Sequence, residues 1–125
     1  MVASKEDYKK ALLKLRDKGR FRNTKYLDFL RAQYASEHHT ITSTEMARVV
    51  GYPNYNAANL QYGTLGRELA DIMNYTPPER KNGEHKWFWV LATGNELQAH
   101  PEGHYEFVMR PELVDALEEM NWVKR

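Results

Sequence analysis

Thr40-Ile41-Thr42-Ser43-Thr44-Glu45-Met46-Ala47-Arg48-Val49-Val50-Gly51-Tyr52-Pro53-Asn54-Tyr55-Asn56 carries the strongest local signal in the chain. Thr42 and Glu45 have the spacing of a capping box, with Ile41 in the staple position before it. A short helix follows, with Met46, Val49 and Val50 expected inward. Gly51-Tyr52-Pro53-Asn54 breaks it, because proline cannot continue a helix interior and glycine tolerates positive φ. Beyond the break, Ala58, Tyr62, Leu65, Leu69 and Ile72 recur at 4-3-4-3 spacing, which predicts a long helix over Tyr55–Met73 with one buried stripe. A capped short helix, a tight turn and a second helix form the helix-turn-helix pattern.

Working outward, Ser4 and Asp7 mark the start of a first helix, and Tyr8, Ala11, Leu12 and Leu15 give it a buried face. Gly19 stops it. Asn23 or Thr24 is expected to cap a second helix whose inward positions are Tyr26, Leu27, Leu30 and Tyr34. On the other side, Tyr75-Thr76-Pro77-Pro78 terminates the long helix. Lys86-Trp87-Phe88-Trp89-Val90-Leu91-Ala92 is rich in strand formers. In His104-Tyr105-Glu106-Phe107-Val108-Met109-Arg110, Tyr105, Phe107 and Met109 alternate against Glu106, Val108 and Arg110. These two runs predict an antiparallel hairpin, 86–92 against 104–110. Pro111 suits the first position of a last helix. Leu113, Leu117 and Met120 point inward from it, and Trp122-Val123 is expected to dock on the hairpin. The expected fold is mainly α (α+β), with a helix-turn-helix core, a two-stranded β-hairpin wing and a C-terminal helix.

A chain of 125 residues supports one domain, here 1–125, with 1–36 read as a basic N-terminal helical extension. Hydrophobic residues at 42% and charged residues at 28% are ordinary for a globular chain, which argues against disorder. The absence of cysteine excludes disulfides, thiolate nucleophiles and cysteine-ligated metals. No apolar run is long enough for a membrane span, and the N-terminus lacks the apolar region of a signal peptide. A cytoplasmic protein with no membrane partner is the expectation.

The net charge of +1 hides an asymmetry. Residues 1–26 carry nine Lys/Arg against three acids, whereas residues 93–125 carry seven acids against three bases. A basic end suits phosphate. A helix entering a major groove must present side chains able to bond base edges. Asn54, Tyr55, Asn56, Asn59, Gln61, Thr64 and Arg67 are the candidates, and no acid interrupts them before Glu68. Tyr55, Asn56, Asn59 and Arg67 are expected to carry recognition, while Lys9, Lys10, Arg20 and Arg22 supply phosphate contacts. Leu60 falls on the same outer face, which also fits a helix buried on two sides.

Catalytic and metal chemistry find little support. His38-His39 are adjacent and diverge in an extended chain, and His85 stands alone. His100-Pro101-Glu102-Gly103-His104 lacks a further ligand for a tetrahedral site. Gly63-Thr64-Leu65-Gly66 matches a four-residue GXXG clamp, but close helix packing explains small residues equally well. Trp87 and Trp89 either stack bases or fill the core under a hairpin, the commoner fate of large rings in a small domain. No catalytic residue, no metal and no cofactor are expected.

The runs Thr42-Ser43-Thr44-Glu45-Met46-Ala47-Arg48-Val49-Val50-Gly51-Tyr52 and Tyr55-Asn56-Ala57-Ala58-Asn59-Leu60-Gln61-Tyr62-Gly63-Thr64-Leu65-Gly66-Arg67 resemble a bacterial winged helix-turn-helix-like module that precedes restriction-type HNH endonucleases or stands alone. The closing run from Val108 through Trp122 is similar to the same module's end, so the resemblance spans about two-thirds of the chain. It implies an accessory nucleic-acid-recognition role in defence against foreign DNA. With Arg125 as the last residue, no nuclease domain is expected. The expected function is non-catalytic binding of duplex DNA by a monomer or homodimer. The alternative is a protein-interaction module, such as a phage- or plasmid-encoded inhibitor or a subunit of a defence complex.

Overall fold

A computed structural model describes residues 2–79, 81–96 and 105–125. Its elements are α1 (Lys5–Asp17), α2 (Tyr26–Ala35), β1 (Thr40–Thr42), α3 (Ser43–Val50), α4 (Tyr55–Met73), β2 (Ala92–Glu96), β3 (Tyr105–Met109) and α5 (Pro111–Glu119). The protein is mainly helical, with a small antiparallel sheet in the order β1-β3-β2. Among the described residues no helix is long and apolar enough to cross a membrane.

Local signals set most helix ends. The Ser4 hydroxyl accepts from the Asp7 N–H at 3.1 Å and the Asp7 carboxylate accepts from the Ser4 N–H at 3.2 Å, a complete capping box. Thr42 Oγ1 caps α3 by accepting from the Glu45 N–H at 3.1 Å. Asn54 Oδ1 accepts from the Ala57 N–H at 2.9 Å and caps α4. Gly51 closes α3 at φ 90°, a conformation glycine adopts without a Cβ penalty. The second helix departs from expectation. Neither Asn23 nor Thr24 caps it. Lys25 is the N-cap residue without a side-chain bond, and Thr24 donates back to the Arg20 carbonyl at 2.6 Å.

The core joins all five helices to the inner face of the sheet. Tyr8, Leu12, Phe29, Tyr62, Leu65 and Leu113 are wholly buried. Within the stretch read as an extension, residues 2–36 are therefore built into the domain rather than appended to it. One buried polar relay crosses the core: the Tyr62 hydroxyl donates to Gln33 Oε1 at 2.6 Å, and Gln33 Nε2 donates to the Phe107 carbonyl at 3.0 Å. It ties α4, α2 and β3 together.

The hairpin differs from the expected one. Trp87–Val90 form one turn of 3-10 helix, and the strand begins only at Ala92. Ala92 pairs with Met109 and Gly94 with Phe107. Two carbonyls of the aromatic run go to side chains instead of a ladder: Tyr8 donates to Val90 at 2.6 Å, and Arg110 Nε donates to Trp89 at 2.6 Å, while the Phe88 carbonyl accepts from the Leu91 N–H at 2.8 Å within the turn. Arg110 leaves the expected alternation, since it is buried with its guanidinium 4.7 Å from the Trp89 ring centroid. That ring faces a cation whose Nη2 has no hydrogen-bond partner among the described residues. Thr40–Thr42, read from sequence only as a helix approach, adds a third strand, with Ile41 opposite Phe107. Val49, expected inward, is 53% exposed. Trp122 docks on Phe21 rather than the hairpin, with ring centroids 5.3 Å apart, and its carbonyl accepts from Arg31 at 2.9 Å.

Candidate nucleic-acid interface

The turn between α3 and α4 is held by its own backbone and by one ring contact. The Tyr52 N–H reaches back to the Ala47 carbonyl at 2.8 Å, and the Tyr52 ring stacks on Phe29 at 5.5 Å. This fixes the angle at which α4 leaves the turn. On a helix of about 3.6 residues per turn, Tyr55, Asn56, Asn59, Gly63 and Arg67 share one side of α4 with Leu60. Tyr55, Asn56, Asn59, Leu60 and Arg67 are exposed, and Leu60 reaches 68%. Gln61 falls on the other side and is half-buried, so it does not join them.

Three candidate readers have a structural task. Asn59 Oδ1 accepts from the Ser43 hydroxyl at 2.5 Å and ties α4 to α3, leaving its amide nitrogen as the outward donor. The Thr64 hydroxyl donates to the Leu60 carbonyl at 2.8 Å within α4. Asn54 is spent as the helix cap. Arg67 makes no hydrogen bond or ion pair among the described residues.

The basic segment lies elsewhere than expected. Lys9 Nζ is 2.7 Å from Glu119 and 3.5 Å from Glu6, and Lys5 also meets Glu119 at 2.7 Å. The hydrogen bonds and charge of Lys5 and Lys9 pull the Glu119 carboxyl down to about 2. Arg20 grips both carboxylate oxygens of Glu68. Burial pushes the Glu68 carboxyl up, but hydrogen bonds from Arg20 and Tyr26 outweigh this and hold it below its ordinary value. Lys9 and Arg20 are thus internal counter-ions rather than open phosphate contacts. Lys10 and Arg22 stay exposed, but Lys10 borders Ile72 and Met73 at the far end of α4. Sixteen residues separate Asn56 from Ile72, roughly 24 Å along the helix axis.

A cleft of about 640 Å³ lies between α4 and the segment around the 3-10 turn, and sequence reasoning missed it. Asn59, Leu60, Gly63, Thr64 and Arg67 form one wall, and Glu84, His85, Trp87 and Phe88 another, with Phe107 at the base. His85 Nδ1 donates to the Pro77 carbonyl at 3.0 Å, and its ring lies 5.2 Å from that of Trp87. Lys81 and Lys86 flank this segment as further cations. The only hint in sequence was His85-Lys86-Trp87, a cation among rings just after a turn. The GXXG run has a packing role at its second glycine, where Gly66 meets the Trp87 backbone.

Among the described residues no group of three or more His, Asp or Glu could hold a metal. His39 Nδ1 lies 2.7 Å from the Tyr34 carbonyl, and His38 is exposed. The His100 to His104 stretch lies outside the described residues. No protein-family model, curated protein or solved structure matches the chain.

Proposed function

We propose that this chain is a non-catalytic module that binds duplex DNA through the first turns of α4. The observation that carries this reading is one arrangement: a capped α3, a rigid turn and an α4 whose exposed side holds Tyr55, Asn56, Asn59 and Arg67, with no acid before Glu68. A major groove about 12 Å wide admits one helix, and the amides of Asn56 and Asn59 can bond adenine edges while Arg67 suits guanine or phosphate. The β1-β3-β2 sheet, which meets α4 where the Tyr62 and Phe107 rings lie 5.1 Å apart, supports the winged form of this motif. With Lys9 and Arg20 neutralised, the phosphate contacts fall to Lys81, Lys86 and Arg67, with Lys10 and Arg22 as outlying cations. A cytoplasmic role in defence against foreign DNA rests on the family resemblance alone.

The test is fluorescence anisotropy with labelled random duplex DNA. Binding is expected near 50 mM salt, with a steep loss of affinity toward 200 mM as counter-ions compete. An absence of binding near 50 mM salt overturns the DNA reading. The protein-interaction reading then takes its place, favoured by Val49 at 53% and Leu60 at 68% exposure on adjacent helices.

A further inference from the structure

The cleft beside α4 has a composition that neither a packed core nor a plain groove-reading helix requires. At about 640 Å³ it has the size of a small-molecule site. Its rings, Trp87 and Phe88, sit on one side with Phe107 at the base, and the aliphatic Leu60 stands 68% exposed on the other. That pair of walls suits a flat, apolar-faced ring. The polar groups are few and of mixed character: the Asn59 amide nitrogen as a donor, Glu84 as an acceptor, and Arg67 as a cation without a hydrogen-bonded or ionic partner among the described residues.

We propose that this cleft holds one unstacked nucleotide, its base between Leu60 and the aromatic wall and its phosphate at Arg67. Each part of a nucleotide meets a matching group. Every base has a π-face, and stacking on aromatic side chains is tolerant of sequence. Exocyclic amines and ring acceptors at the base edge answer Glu84 and Asn59. A wholly apolar ligand leaves Arg67 and Glu84 desolvated without compensation, and a simple anion makes no use of the rings while meeting the Glu84 carboxylate. Two glycines shape the cavity. Gly66 lets the 3-10 turn approach the α4 backbone, which sets one wall. Gly63 has nothing within 4 Å of where a Cβ would stand, so its missing side chain is open space facing the occupant.

This inference rests on the DNA-binding reading when the nucleotide belongs to a DNA strand, and stands apart from it when the nucleotide is free. The experiment separates the two sources. The full chain is titrated with a perfectly paired duplex, with the same duplex carrying one unpaired central base, and with nucleoside monophosphates, the last followed by tryptophan fluorescence. The same titrations are run on Gly63→Phe, whose ring fills the cleft, and on Arg67→Gln. For the wild-type chain, the bulged duplex is expected to bind about 10-fold or more tighter than the paired one, the scale of one base stack. The ratio of the two affinities, taken within each variant so that general changes in DNA affinity cancel, should fall to about one in Gly63→Phe and decrease in Arg67→Gln. Saturable monophosphate binding lost in Gly63→Phe, with no bulge preference, supports the pocket and assigns it to free nucleotides. A wild-type ratio near one together with no monophosphate binding overturns the proposal, as does a preference that survives Gly63→Phe. If paired duplex binds and the ratio stays at one, only the pocket fails. If no DNA binds, the duplex reading fails and the monophosphate titration alone decides the pocket.

Discussion

A Cβ on Gly66 would stand 2.9 Å from the carbonyl carbon of Trp87, and nearer still to its oxygen. The 3-10 turn therefore rests directly on the backbone of α4, and the obstacle is main chain, which cannot swing aside. Gly66→Ala is expected to destabilise the protein by about 1–3 kcal/mol through overpacking. Gly63→Ala, one turn earlier and with open space around it, should stabilise by about 0.5–1 kcal/mol, because alanine loses less entropy in a helix. Urea denaturation of the two variants reads both signs. Equal stability of Gly66→Ala and wild type would show that the turn does not sit on α4.

The relay from Tyr62 through Gln33 to the Phe107 carbonyl is enclosed, with Gln33 fully buried. Tyr62→Phe removes the donor to Gln33 Oε1 and should cost about 1–3 kcal/mol, the cost of a buried acceptor left unmade. Gln33→Leu removes partners on both sides. A double-mutant cycle should show the combined change to be smaller than the two single losses together, since no stranded Oε1 remains. Strict additivity would mean that the two side chains do not share the bond.

Glu119 titrates at about 2 instead of 4.5 because Lys5 and Lys9 bond it. Its folded pKa is depressed, so its stabilisation is complete above about 4.5 and is lost as pH falls toward about 2. The stability of Glu119→Gln should therefore depend less on pH between 4.5 and 2 than that of wild type, with parallel profiles near neutrality. High salt should shrink the difference, since the pair is exposed. Acid titrations followed by circular dichroism, with and without salt, measure both effects.

If α4 reads DNA, the roles of its neighbours divide. Asn56→Ala should cost about 1–3 kcal/mol on a preferred site and little on random duplex. Lys86→Ala should weaken both alike and reduce the salt slope by about one. Lys9→Ala should change neither, because its ammonium already belongs to Glu119 at 2.7 Å. A Lys9→Ala salt slope reduced as much as that of Lys86→Ala would place α1 on the DNA.

What is local was legible in the residues themselves. Caps act over three residues, so Ser4 and Thr42 announced α1 and α3, and the 4-3-4-3 stripe carried α4 over Tyr55–Met73, whereas the capping role of Asn54 emerged only with the fold. Breakers such as Gly51 and Pro53 work through their own backbone and needed no partner. The outward Tyr55, Asn56, Asn59 and Arg67 followed from the same period. Contacts between distant segments set the rest. The run from Trp87 reads as a strand by composition, yet two of its carbonyls are taken by distant side chains, that of Val90 by Tyr8, 82 residues away, and that of Trp89 by Arg110, 21 residues away. β1 is three residues long, too short for a period, and exists because β3 offers it an edge. Lys9 and Arg20 looked like free cations until folding brought Glu119 across 110 residues and Glu68 across 48. The cleft beside Gly63 belongs to this second group, since a cavity is made by two surfaces meeting and neither segment encodes it alone.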